Sequence, residues 1–271
     1  MASSIYIHIP FCKSICSYCD FCKFIYNEKW TYAYLKALKN EINDRYMGEE
    51  IRTIYIGGGT PSALSIKEIK SLLSMLDIVN KTNLEEFTFE CNLEDINEEL
   101  LILLKSFGVN RLSIGIESFD KDKLKFMERT ADFKDTEEKI NLCKKMGFSN
   151  INLDLMYAIP GETLKVLKKD LSLFLKLKPT HISAYSLILE SHTKAYVNGV
   201  SEIEEELDYE MYKYITEKLS NAHHYEISNY AIPGYESKHN LVYWNNEEYY
   251  GFGLGASGYI DEIRYTNTKN L

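Results

Sequence analysis

The feature that most limits what this chain can fold into is an alternation of two hydrophobic periods, repeated six times before residue 190. Short β-branched stretches at 5–9, 53–56, 86–91, 111–116, 151–156 and 181–187 read as strands. Between them lie stretches with apolar residues at helical spacing: 30–46, 65–76, 97–107, a helix from about Lys121, 136–146 and 164–177. Ser65 with Glu68 three residues on has the form of a capping box, and Gly108 and Gly147 stand where helices close. Strict strand–helix alternation builds a parallel sheet with helices outside it. Open doubly wound sheets and α/β barrels share that pattern, and both place ligands at the carboxyl ends of strands. From about residue 191 the alternation breaks. One amphipathic helix, 207–219, is followed by a Gly-, Tyr- and Asn-rich stretch to Leu271. The expected division is therefore 1–190 as the α/β body and 191–271 as a shorter extension.

Just after the first strand, Pro10 opens a loop with Cys12, Cys16 and Cys19 in the spacing C-x3-C-x2-C, followed by Asp20, Phe21 and Cys22. A closed structural zinc site takes four ligands, and electron-transfer iron–sulfur clusters also use four cysteines. Three thiolates holding a four-iron cluster leave one iron open to another ligand. The competing reading is three buried or zinc-binding cysteines in a small knuckle. Cys91 and Cys143 lie in apolar segments and read as small core residues.

Composition narrows the partners. The net charge of −9 and a pI near 5.3 argue against a general nucleic-acid binder, which needs a basic face. No apolar run is long enough to span a membrane, and the first residues are too short and too alternating for a signal peptide. A cytoplasmic protein with reduced thiols is expected, so its six cysteines read as ligands or core residues.

Further chemistry gathers near strand ends. Gly57-Gly58-Gly59 follows the second strand, where glycine lets backbone approach a ligand closely. Glu90, Glu117, Arg129 and Asp154 are charged residues at or just beyond the third, fourth and fifth strands. A carboxylate can accept from ribose hydroxyls, and an arginine can pair with a ligand carboxylate.

Long stretches also resemble one known family. They are Tyr6-Ile7-His8-Ile9-Pro10-Phe11-Cys12, Gly57-Gly58-Gly59-Thr60-Pro61, Glu90-Cys91-Asn92, residues 108–119 and residues 154–163. The chain resembles the radical S-adenosylmethionine (SAM) family that contains the oxygen-independent coproporphyrinogen III dehydrogenases and the related heme chaperones of the HemW branch. The resemblance implies a partial (β/α)6 TIM-like barrel with SAM at its mouth. It implies a [4Fe–4S] cluster on Cys12, Cys16 and Cys19, and SAM contacts from Tyr6, Tyr18, Gly58, Gly59, Thr60, Glu90, Glu117, Arg129, Asp154 and Ile188.

Two branches are separated by particular residues. The dehydrogenase branch has a fourth cysteine two residues after the third, where this chain has Phe21. The run 225–231 and His239-Asn240-Leu241-Val242-Tyr243-Trp244 resemble the chaperone branch, whose H-N-x-x-Y-W segment is implicated in heme binding. A neutral imidazole ligates heme iron, and tyrosine and tryptophan offer flat apolar surface to a porphyrin. His239, Tyr243 and Trp244 are therefore the heme candidates. The departures are Glu117 for the usual Gln, Leu93 for proline, Thr130-Ala131 without a histidine, and Ser257 where the chaperones show histidine. The sequence stops at Leu271, before the helical C-terminal domain these families normally carry. The expected function is a chaperone that binds heme and delivers it to apo-hemoprotein clients, with an electron donor for the cluster and peripheral contact with membrane hemoproteins. The alternative is oxidative decarboxylation of coproporphyrinogen III in porphyrin biosynthesis.

Overall fold

In the computed structural model, which describes residues 2–271, the elements in chain order begin with β1 (Ser4–Ile9), β2 (Phe11–Cys12), β3 (Phe24–Ile25), α1 (Glu28–Arg45) and β4 (Thr53–Gly58). There follow α2 (Ile66–Ser74), β5 (Glu86–Asn92), α3 (Glu98–Ser106), β6 (Arg111–Glu117), α4 (Lys121–Met127) and α5 (Phe133–Lys145). Next are β7 (Asn150–Tyr157), α6 (Leu164–Lys176), β8 (His181–Ser186), α7 (Lys194–Val197) and α8 (Glu205–Lys218). The chain ends with β9 (His223–His224), β10 (Asn229–Ala231), α9 (Lys238–Trp244), β11 (Tyr250–Phe252), β12 (Ser257–Ile260) and β13 (Ile263–Thr266). The six expected strand–helix repeats are present. Ser65 and Glu68 do form a capping box. Three helices start earlier than their apolar spacing suggests: α1 and α5, where Asn27 and Asp132 accept from backbone N–H groups at the first turns, and α8, which begins at Glu205.

These elements form two compact units. The first holds the residues up to Ser14, Phe21–Leu112 and Ser237–Leu271; the second holds Ile15–Asp20 and Ser113–Glu236. In the first unit the strand order is β11-β1-β4-β5, all parallel. Ile5, Ile7, Ile9, Ile54, Ile56, Phe87 and Phe89 supply its fully buried core, as strands covered on both faces require. In the second unit the order is β6-β7-β8-β10-β9, with β7 and β8 parallel and β10 antiparallel to both its neighbours. Neither order closes on itself among the described residues.

Three short strands, β9, β10 and β11, add to these sheets where the sequence shows no strand period. Tyr250-Gly251-Phe252 pairs in parallel with Ile5–Ile7. A side chain at Gly251 would meet the Ser257 carbonyl oxygen at 1.9 Å, so only glycine fits there. Helix α9 is held to the first unit from below its first turn. Glu86 of β5 accepts from the N–H groups of Lys238 and His239 at 3.0 Å each and from the Ser237 hydroxyl at 3.3 Å. Buried Arg111 lies 4.0 Å from the same carboxylate. An acid at a helix N-terminus suits the helix dipole, and here it also balances a buried cation. Glu86→Ala should cost about 3–5 kcal/mol by leaving Arg111 buried and unbalanced. Urea unfolding of Glu86→Ala and Arg111→Met/Glu86→Leu tests this: the double variant should recover much of the loss, and an equally unstable double variant would contradict it.

Candidate functional site

In the first unit, β2 and β3 clamp the two ends of the cysteine loop. Phe24 N–H donates to the Pro10 carbonyl at 2.6 Å and Tyr26 N–H to that of Cys12 at 2.8 Å. The glycine turn after β4 is stitched to the start of the same loop, with Gly59 N–H on the Ile9 carbonyl at 2.8 Å and Thr60 N–H on that of Phe11 at 2.9 Å. Thr60 Oγ1 lies 3.6 Å from Cys12 Sγ. Each glycine is there for a different neighbour. A Cβ at Gly57 would meet the Glu90 carboxyl at 2.6 Å; at Gly58 (φ +118°) the His8 ring at 2.6 Å; at Gly59 Cys12 Sγ at 2.9 Å. Gly58 N–H and the Tyr55 hydroxyl hold the Glu90 carboxylate, at 3.0 and 2.6 Å. Tyr6 reaches His8 Nδ1 at 2.9 Å, and His8 Nε2 lies 2.7 Å from the Cys22 carbonyl, so this chain of bonds fixes the far end of the loop. The expectation that the glycines leave backbone free to approach a ligand missed this inward use. His8 was likewise missed; its only signal was a polar residue inside an apolar strand.

The second unit holds Cys16, Tyr18 and Cys19 with Glu117, Arg129, Asp154 and Ile188. Ser17 anchors this part of the loop by donating to the Phe126 carbonyl at 2.6 Å, while the Ser17 carbonyl accepts from Ala195 N–H at 2.9 Å. Tyr18 packs on Leu124, Met127, Met156, Ile159 and Leu187. Arg129 lies beyond α4, and its guanidinium turns back to donate to the Gly115 carbonyl at 2.7 Å and to Cys16 Sγ at 3.6 Å. A Cβ at Gly115 would meet Arg129 Nη2 at 3.0 Å and Glu117 Oε1 at 3.1 Å, so a glycine in β6 makes room for the pair. Glu117 ends β6 in the left-handed region, φ 70°, and is buried. Burial pushes its carboxyl up to about 7 against the pull of Arg129, with Asp154 adding to the rise. Burial works against the Arg129 charge, and Glu117, Tyr18 and Cys16 more than offset it, so that guanidinium stays charged. Asp154 sits inside β7, not at its end, and accepts from Asn152 at 2.8 Å. Ile188 is exposed past β8. Sequence reasoning also missed Lys123, buried among Glu162 (2.7 Å), Asp170 (3.0 Å) and the Met156 carbonyl (2.9 Å). That charge lies on an apolar helix face and had no sequence signal beyond Glu162 in the Pro-Gly-Glu run.

The heme candidates fall in the first unit. His239 is fully buried, with Nδ1 2.7 Å from Thr53 Oγ1 and Nε2 2.8 Å from the Tyr243 hydroxyl. Burial, helped by Arg111, brings its imidazole down to about 3, so it is neutral, as expected of a ligand. Both of its nitrogens are engaged, however, and iron ligation would break one of those bonds. Tyr243 and Trp244 are exposed.

The donor chemistry suits a cluster. None of the cysteines forms a disulfide, Gly59 leaves room for Cys12 Sγ, and hydroxyl and guanidinium donors stand at Cys12 and Cys16. The family model described as the Radical SAM superfamily matches residues 6–174. A Lactococcus lactis protein named heme chaperone HemW is 44% identical over 98% of this chain and 72% of its own length. A Bacillus subtilis protein of the same name is 43% identical over 97% of this chain and 73% of its own. The chain belongs to the HemW family of radical SAM proteins. Membership implies a [4Fe–4S] cluster and SAM. A solved structure of Escherichia coli coproporphyrinogen III oxidase, HemN, covers 98% of this chain and 67% of its own with a TM-score of 0.87. At 22% identity that likeness establishes the radical SAM fold, matching the partial barrel expected from sequence. No helix among the described residues is long and apolar enough to cross a membrane.

Two outcomes follow for this HemW-family site. Gly59→Ala should sharply lower the iron and sulfide retained after anaerobic reconstitution, while Gly48→Ala, which strains a φ +93° position but meets no atom within 4 Å, should not; equal iron in both would contradict the close-approach reading. Because Glu117 keeps a proton in the folded state that the unfolded chain releases, stability should fall as pH rises from about 4.5 to about 7 and then level off. Glu117→Gln should flatten that slope in urea unfolding of the cluster-free chain, and an unchanged slope would refute it.

Proposed function

We propose that this chain is a heme chaperone: a cytoplasmic protein that binds heme and passes it to apo-hemoproteins, including membrane-bound ones met at the membrane surface. The supporting observation is the 44% identity that runs along 98% of the chain with a protein named for that role. Phe21, where the dehydrogenase branch has its fourth cysteine, favours the same reading.

Within it, Cys12, Cys16 and Cys19 hold the cluster, and Tyr6, Tyr18, Gly58, Gly59, Thr60, Glu90, Glu117, Arg129, Asp154 and Ile188 surround SAM. When bound, cluster and SAM supply a redox-active centre fed by an electron donor. The chain's own part is to orient. Arg129 and Thr60 direct donors at the Cys16 and Cys12 sulfurs, which lowers their electron density. Glu117, whose proton affinity burial raises, and Asp154 offer acceptors, and Tyr18 with its apolar neighbours excludes water. The exposed rings of Tyr243 and Trp244 offer porphyrin contact, while His239 serves the segment by anchoring α9 to Thr53.

The test is anaerobic reconstitution with SAM and a reductant, scoring heme uptake and porphyrin product together. Heme binding without conversion of coproporphyrinogen III is expected. Formation of protoporphyrinogen would move the chain to the dehydrogenase reading, and absence of heme uptake would defeat the chaperone one.

A further inference from the structure

We infer that the residue presenting a nitrogen to the cargo's iron is His223, on the edge strand β9, oriented for it by Glu236. This rests on the heme-carrying reading above, names its iron ligand, and seats the porphyrin on the second unit in place of Tyr243 and Trp244.

A protein imidazole that ligates iron usually gives one ring N–H to a carboxylate or carbonyl, which fixes the tautomer and leaves the other nitrogen's lone pair facing outward. Heme demands in addition that the outward atom be unhindered and the ring edge exposed. The chain has six histidines, and their environments differ sharply. His8, His181 and His239 are buried with both nitrogens engaged: His8 by Tyr6 and the Cys22 carbonyl, His181 by Asn152 and Tyr225, His239 by Thr53 and Tyr243. His224 spends Nε2 on the Ile227 carbonyl at 3.0 Å, and one ring face lies against Tyr230 at 4.2 Å. His192 spends Nε2 on the Asp20 carbonyl. Each of these last two leaves only Nδ1, which is crowded by its own Cβ.

His223 is arranged the other way round. Its Nδ1 lies 2.7 Å from Glu236 Oε1, and its side chain is 56% exposed, with Nε2 pointing away from that bond. The carboxylate is itself held. Glu236 Oε2 accepts from Gly234 N–H at 2.8 Å, in a turn where Gly234 takes φ +90°. Burial would raise the Glu236 carboxyl, but His223 and the backbone N–H groups outweigh it and keep it charged. A charged acceptor at Oε1 places the imidazole proton on Nδ1. The backbone of His223 is pinned as well, by its pairing with Ala231 of β10, and the Tyr225 ring stands 6.2 Å away. The same hairpin leaves Ile227 exposed and runs into exposed Ile232, apolar surface of the kind a porphyrin covers. The result is a preorganised imidazole whose free nitrogen is the unhindered one.

The experiment titrates ferric heme into the full chain and follows the Soret band and the electron paramagnetic resonance of the iron. Wild type should show an imidazole-ligated spectrum. His223→Ala should lose that signature and bind at least about ten-fold more weakly, with the signature restored by added imidazole. Glu236→Gln, which keeps the fold and the ligand, should weaken binding by about ten-fold and shift the band. His223→Ala with wild-type spectrum and affinity overturns the assignment while leaving the heme-carrying reading intact. Wild type that takes up no heme overturns that reading and the assignment with it. A His223→Ala chain that binds less but regains nothing with imidazole, while Glu236→Gln matches wild type, also refutes it.

Discussion

The rest of the structure depends on how closely the glycine turn after β4 approaches the start of the cysteine loop. Cys12 lies where a Cβ on Gly59 would stand 2.9 Å from its sulfur. Two backbone hydrogen bonds from Gly59 and Thr60 hold the turn and the loop at that spacing. Glu90 and His8 occupy the room left by Gly57 and Gly58, so one tripeptide without side chains admits a thiol, a carboxylate and an imidazole. A first sulfur fixed in this way gives the short loop that follows a defined origin, and a geometry held by packing and backbone bonds costs no reorganisation when a ligand arrives.

The two units handle buried charge differently. In the first, Glu86 caps α9 and balances Arg111, so its charge is spent on holding the chain together. In the second, Lys123 is neutralised by Glu162 and Asp170, while Glu117 and Arg129 face each other with Tyr18 and Cys16. Glu117 carries a left-handed backbone and a strongly raised proton affinity in the same place. Strain and perturbed titration together mark a functional position better than either does alone.

Much of this was legible in the residues. The strands showed because Ile5, Ile7, Ile54 and Ile56 carry an unambiguous apolar pattern, and the helices showed by their spacing; their ends moved by a few residues, α1 and α5 starting at the polar caps Asn27 and Asp132, α8 at Glu205, and α2 stopping at Ser74. The cysteine spacing pointed to a cluster without help from the fold. What the sequence did not show was contact over long separations. Tyr250-Gly251-Phe252 has no strand period of its own and becomes one because β1 offers it an edge. Glu86 looked like a strand residue, yet its carboxylate meets a helix 151 residues onward. His239 was visible as a residue type, but its burial between Thr53 and Tyr243 was not, since Thr53 lies 186 residues away.

The most direct test of the central proposal, that Cys12 held by the glycine turn joins Cys16 and Cys19 in carrying a cluster with one iron left for SAM, is the electron paramagnetic resonance spectrum of the reduced, reconstituted chain with and without SAM. A [4Fe–4S] signal whose shape changes on adding SAM, lost when any of Cys12, Cys16 or Cys19 is replaced by alanine and retained in Cys22→Ala, is the expected result. A signal indifferent to SAM, or one that needs Cys22 as a fourth ligand, would contradict it.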